Sequence, residues 1–215
     1  MRLVMQPTKR KLQTRQQVPT AIVCHCTGAT DLNAIVRFYS AADGYQPHYV
    51  VDVLGTAHVF ADETLIAYHA AMPSADAELY GKGLAVWQRF TLTGNEQRDG
   101  GVPYPGYAEW ATRWHGVFAF ESPLNLPTRD APNALSIGIE LQSRENTDHF
   151  TEAQYATLGE LLDELLDRWQ MPRERQVVLG HYDVAPLRRS TRRGGWDPGE
   201  GFDWPRVLTG LRIDS

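Results

Sequence analysis

Short apolar runs alternate with stretches of helical spacing along this chain, and that alternation limits the fold more than any other feature. The runs lie at 20–26, 48–53, 56–60, 135–141 and 176–180. Each is strand-sized. Between them, Asp31 to Ser40 places Leu32, Ile35, Val36 and Tyr39 on one helical face, and Ala41 to Gly44 ends that helix. Leu54-Gly55 reads as the turn between the second and third runs. Thr151 opens a longer helix with Gln154 in capping-box position. Its stripe is Tyr155, Leu158, Leu161, Leu162, Leu165, Leu166 and Trp169, and Glu152, Glu160, Asp163, Glu164 and Asp167 cover the wet side. Strands and helices in this order predict an α/β fold, a mixed central β-sheet flanked by helices.

The length of 215 residues suits one domain with a large insertion. The predicted division is a basic N-terminal arm over 1–19 and a single domain over 20–215, with an insertion at 72–131. The arm holds Lys9, Arg10, Lys11 and Arg15 without an apolar core after them, so it does not read as a secretory signal. It is expected either to move freely or to pack on the domain. The insertion is rich in aromatic residues, among them Trp87, Trp110 and Trp114, and it carries a Gly-Pro segment from Gly100 to Gly106. Loops of that length are uncommon unless they are functional or partly structured. Little chain follows Trp204, and no separate binding module is expected there.

A net charge of −5 argues against a general nucleic-acid binder, which needs excess Lys and Arg. No apolar run approaches the roughly 20 residues needed to span a bilayer. A cytoplasmic protein is expected, or one released or delivered by a non-classical route, with a monomer favoured. Cys24 and Cys26 are two apart on a strand, share a face opposite His25, and read as small buried hydrophobes.

The polar residues that interrupt the apolar runs carry the chemistry. His25 lies near the end of the first run, Glu140 near the end of the fourth, and His181 directly after the fifth. Asp197 opens an Asp-Pro-Gly turn. Two imidazoles and a carboxylate form a sufficient ligand set for a catalytic zinc with an open fourth position. A further carboxylate on a neighbouring strand would serve as general base for an attacking water. Each residue also has a plainer reading. A strand histidine can be a satisfied core residue, Asp197 a turn-forming aspartate, and Glu140 half of a buried ion pair.

In order, Ala21-Ile22-Val23-Cys24-His25-Cys26-Thr27, Ser136-Ile137-Gly138-Ile139-Glu140-Leu141, Gly180-His181-Tyr182-Asp183-Val184-Ala185-Pro186 and Asp197-Pro198-Gly199 resemble the zinc-dependent N-acetylmuramoyl-L-alanine amidases and peptidoglycan recognition proteins. The resemblance covers about residues 20–71 and 132–205. It implies an amidase-like fold with one Zn²⁺ per chain held by His25, His181 and Asp197. It implies Glu140 as general base and cleavage of the amide between N-acetylmuramic acid and L-alanine in peptidoglycan or muropeptides. Asp183, two residues past His181, is the rival third ligand; its context matches a structural aspartate of the family that is expected to bond backbone in the following loop. His69 fits a position beside the substrate and is expected to donate to the developing oxyanion. His48 is expected to contact substrate or to support the metal ligands, and Tyr45 to contact substrate.

The chain departs from the family pattern at one important point. Many relatives carry a Lys two residues before the third ligand, and here that residue is Gly195. The preceding loop holds Arg188, Arg189, Arg192 and Arg193. Arg193 is assigned the missing cation's role, and Arg189 and Arg192 are assigned to substrate carboxylates; a solvated basic loop is the plainer alternative. Two other functions fit the same resemblance: a non-catalytic peptidoglycan-recognition module, and a zinc amidase acting on a different amide.

Overall fold

The computed structural model describes residues 1–43, 45–70, 131–144, 149–175, 177–184, 197–199 and 201–209. The proposed insertion, except Ala131, and the arginines at 188, 189, 192 and 193 therefore lie outside the described residues.

Strands β1 (Arg2–Met5), β2 (Ala21–Cys26), β3 (Tyr49–Val51), β4 (Thr56–Val59), β5 (Ser136–Leu141) and β6 (Val178–Gly180) form one sheet. Their spatial order is β1-β4-β3-β5-β2-β6. β3 and β4 are an antiparallel hairpin, and every other neighbouring pair is parallel, so the sheet is mixed as the alternation predicts. The helices are α1 (Leu32–Tyr39), α2 (Ala131–Leu135), α3 (Glu152–Arg168), α4 (His181–Val184) and α5 (Trp204–Thr209).

The two faces of the sheet are sorted by the period-two alternation of its strands. On one face Ile22, Cys24, Ile137, Ile139 and Leu141 join Leu158, Leu161, Leu162 and Leu165 of α3 in the main core. Each of these buried side chains contributes on the order of 2 kcal/mol. The N-terminus of α3 follows the sequence closely. The Thr151 side chain accepts from the Gln154 N–H at 3.1 Å, and the Gln154 side chain accepts from the Thr151 N–H at 3.0 Å. On the other face Ile35 and Tyr39 of α1 pack on Val50 and Phe60. Asp31 caps α1, accepting from the N–H groups of Asn33 and Ala34. That second face also carries His25 and Glu140, because these alternate with Cys24, Ile139 and Leu141.

The N-terminal segment is packed on the domain. Arg2 to Met5 extends the sheet alongside β4, and Gln13 and Arg15 exchange backbone bonds with Ile66 and Thr64. The Arg15 guanidinium is spread over backbone carbonyls. It donates to Glu63 O at 3.0 Å, Leu65 O at 3.2 Å and Ser136 O at 3.0 Å, and to the carbonyls of Asn133 and Ala134. A charged donor satisfying several carbonyls at once is among the stronger polar arrangements available to a protein. The strand β1 and the short helix α2 were not legible in the hydrophobic pattern.

Candidate metal centre

Parallel pairing assembles the site. β2, β5 and β6 run the same way, so the ends that carry His25, Glu140 and His181 lie at one edge of the sheet. Open α/β sheets bind ligands at that edge. His25 is the register partner of Glu140, and Cys24 that of Gly180, which places His181 level with His25. Register partners point to the same face about 5 Å apart. Asp197 comes from a distant turn, and the glycine at 180 lets it approach: a Cβ there would sit 2.8 Å from the Asp197 carbonyl oxygen and 3.0 Å from Pro198 Cδ.

The three residues assigned to zinc converge. The Nδ1 atoms of His25 and His181 each lie 3.2 Å from Asp197 Oδ2, and the three candidate ligand atoms lie within 4.8 Å of one another. All three residues are buried. Zinc bonds of about 2.0–2.1 Å in tetrahedral array separate neighbouring donors by roughly 3.3 Å. The spacing and the chemistry of this donor set therefore fit zinc. Asp197 Oδ1 is engaged separately, accepting from the Cys26 N–H at 2.8 Å, and this fixes the carboxylate plane.

Asp183 is not part of this group. Its Oδ2 accepts from Arg175 Nη1 at 2.8 Å and from the Gly180 N–H at 2.7 Å, and the residue is fully buried. Among the described residues, the backbone group it binds is the Gly180 N–H at the end of β6. The Arg175 guanidinium in turn stacks 3.5 Å over the Trp204 ring.

Glu140 is buried beside His25, and the Tyr39 side chain hydrogen-bonds to it. Burial, followed by the charge and hydrogen bond of Glu140, holds the Tyr39 phenol well above its ordinary pKa, so it stays a donor. The sequence marks Tyr39 only as a core position of α1, and nothing in the pattern distinguishes it from Ile35.

His48 and His69 are both drawn into hydrogen bonds inside the protein. His48 is fully buried. Its Nδ1 accepts from the Gly138 N–H at 3.0 Å, and its Nε2 lies 3.1 Å from the Leu65 carbonyl and 3.4 Å from Arg15 Nη2. Both ring nitrogens are engaged inside the protein, which fits the supporting alternative better than a substrate contact. Burial, then the Arg15 charge, push its pKa down to about 3. His69 is likewise committed at both nitrogens. Nδ1 lies 3.1 Å from His25 Nε2 and Nε2 lies 3.3 Å from Ser136 Oγ. His69, expected as an oxyanion donor, thus stands beside the candidate metal ligand His25. Its pKa is held well below the usual imidazole range, chiefly by burial and then by the His25 and His48 rings. Tyr45 is 45% exposed, just before Gln46, which bridges to Tyr68.

Gly138 is the one local signal the sequence offered for the His69 arrangement. A glycine inside a buried strand often marks a close approach. A Cβ on Gly138 would lie 2.3 Å from His69 Cγ.

The sequence profile of the N-acetylmuramoyl-L-alanine amidases matches residues 14–200. The chain belongs to that family. It is 37% identical over 102 residues to the 1,6-anhydro-N-acetylmuramyl-L-alanine amidase AmpD of Salmonella typhimurium, a match covering 47% of each chain. The matching segment thus spans about half the length of that curated relative. Its fold is similar to that of a selenomethionine derivative of AmpD, with a TM-score of 0.57 at 19% identity, covering 97% of this chain and 92% of that one. It is also similar to Escherichia coli AmiD in complex with anhydro-N-acetylmuramic acid-L-Ala-D-γ-Glu-L-Lys, with a TM-score of 0.54 at 16% identity, covering 94% and 60% of the two chains. No helix among the described residues is long and apolar enough to cross a membrane.

Proposed function

We propose that this protein is a zinc-dependent amidase that hydrolyses the amide between N-acetylmuramic acid and L-alanine. The observation that carries the reading is the buried His25–His181–Asp197 group with Glu140 in register beside it. Family membership and the names of the relatives support the bond that is cut. His25, His181 and Asp197 would hold the metal. Zinc there supplies Lewis acidity for the lactyl carbonyl and acidity for the attacking water.

The remaining chemistry belongs to the chain. The Glu140 carboxylate takes a proton from the attacking water as its oxygen bonds to the carbonyl carbon. It delivers that proton to the L-alanine nitrogen as the C–N bond breaks. The Tyr39 hydrogen bond fixes the carboxylate's rotamer, which matters because proton transfer requires contact distances. His48 and His69 hold the surrounding strands and rings instead of touching substrate. The arginines at 188, 189, 192 and 193 remain our candidates for the cation that stabilises the oxyanion in relatives with a Lys at position 195 and for substrate carboxylates. The insertion at 72–131 is assigned one wall of the substrate groove, because its two stems are the segments bearing His69 and Glu140.

The test is to incubate the zinc-loaded protein separately with purified peptidoglycan and with soluble anhydro-muropeptide and to identify products by mass. Release of a stem peptide with a free L-alanine amine is expected. Binding of either material without release would replace this reading with a recognition module, and cleavage of the soluble substrate alone would assign the enzyme to muropeptide turnover.

A further inference from the structure

We propose that Ser136 and His69 are positioning residues which hold His25 as its Nε2–H tautomer and so aim its Nδ1 lone pair at the metal. The proposal rests on the metal reading above and is argued from hydrogen-bond polarity alone.

The Pro132 carbonyl can only accept, and Ser136 Oγ lies 2.5 Å from it. A hydroxyl has one proton, so Ser136 donates to Pro132 and has only lone pairs for its other neighbour. That neighbour is His69 Nε2, at 3.3 Å, which must therefore carry a proton. In a neutral imidazole the other nitrogen is then an acceptor. His69 Nδ1 faces His25 Nε2 at 3.1 Å, so His25 Nε2 carries the proton that fills this contact. The last consequence falls on His25 Nδ1, which is left with a lone pair directed at the position shared with His181 and Asp197. Each link up to His25 Nε2 allows only one direction, and with that ring neutral beside Asp197 the chain of bonds ends in the tautomer a metal requires.

The surrounding structure holds this chain of bonds in place. Asn133 Oδ1 accepts from the backbone N–H of His69 at 2.9 Å and of Ala70 at 2.7 Å. The same short helix α2 therefore grips His69 through its backbone and, by way of Pro132 and Ser136, through its ring. Gly138 leaves the space the ring occupies. The consequence is that a serine remote from the metal contributes to its affinity. Loss of an outer partner of a metal-bound histidine commonly weakens binding about 10–100-fold.

Two measurements decide the matter. Long-range proton–nitrogen correlation spectra of the metal-free wild-type protein, at mildly alkaline pH, are expected to show His25 as the Nε2–H tautomer; the Nδ1–H tautomer would overturn the proposal. Zinc dissociation constants by chelator competition are expected to rise roughly 10-fold in Ser136→Ala and roughly 100-fold in His69→Phe. His69→Asn, whose amide oxygen can replace Nδ1 as acceptor, is expected to recover most of the loss. Affinities within twofold of wild type in Ser136→Ala and His69→Phe would overturn the proposal while leaving the metal site intact. Failure of the wild-type chain to bind zinc would overturn the metal reading and this proposal with it. The tautomer is read in the wild-type protein, so the proposal stands or falls even where a variant does not fold.

Discussion

Glu140 is a carboxylate on a strand with no exposed face, and desolvating it is costly unless it has a role and partners. The structure gives it partners, with Tyr39 bonded to it and His25 alongside, and the role is the one we propose for it. Glu140→Gln keeps the shape and hydrogen bonding of the side chain but cannot take a proton. Turnover is expected to fall by about 10²–10⁴-fold with zinc content and melting temperature unchanged. Assays at saturating substrate beside metal analysis check this, and near-normal turnover would make Glu140 structural. Gly138 is a second single-residue test. An added methyl lands on the His69 ring. Gly138→Ala is expected to cost about 1–3 kcal/mol of stability through overpacking, read by denaturant unfolding. An unperturbed variant would show that His69 has room to yield.

At the scale of elements, the sequence was legible where a pattern repeats and illegible where one contact decides. α3 announced itself through its stripe and its Thr151–Gln154 capping box, and both are present. β2 and β5 were readable as buried strands because their apolar residues are nearly continuous, and the candidate ligand set His25, His181 and Asp197 was readable because three local contexts resembled a known family. β1 was not readable. It is a four-residue edge strand with Leu3 and Met5 exposed, so no buried face writes a period into it. Nor was α2 readable, since its five residues include Pro132 and are fixed from outside by Arg15 and the Ser136 side chain. The Arg15 signal was lost among the basic residues of a segment read as an arm. His48 and His69 were placed by resemblance, which cannot tell a ring facing substrate from one supporting the ring in front of it. Arg15 gives the test at this scale. Arg15→Ala removes the donor from carbonyls on the 63–65 loop, α2 and the start of β5. It is expected to destabilise the fold by about 2–4 kcal/mol, against near-zero effect for Arg37→Ala on the exposed side of α1. Equal, small effects for the two would mean that Arg15 is no more than a surface residue.

At the scale of the whole molecule, buried neutral histidines make stability depend on pH. His48 titrates near 6.5 when unfolded and near 3 when folded. Its folded pKa is the lower, so between those values the unfolded chain binds the extra proton and stability falls as pH falls. The groups facing it are Arg15 and Asp62, of opposite sign, with the His69 ring at 5.8 Å. In chelator, so that metal release does not enter, His48 is expected to contribute a loss of about 1.4 kcal/mol per pH unit below 6.5. His48→Asn, which can still accept from Gly138, is expected to flatten that slope; an unchanged slope would assign the acid sensitivity elsewhere.

We propose that strands β2 and β6 and the distant Asp197 turn build a zinc site on one edge of the sheet. Its most direct measurement is the metal content of the purified protein after exhaustive dialysis, wild type against Asp197→Ala. The wild-type chain is predicted to retain one zinc per molecule. Asp197→Ala is predicted to lose it, because Asp183 is already committed to Arg175 and the Gly180 backbone and cannot substitute. Stoichiometric, tightly held zinc in Asp197→Ala would contradict the account.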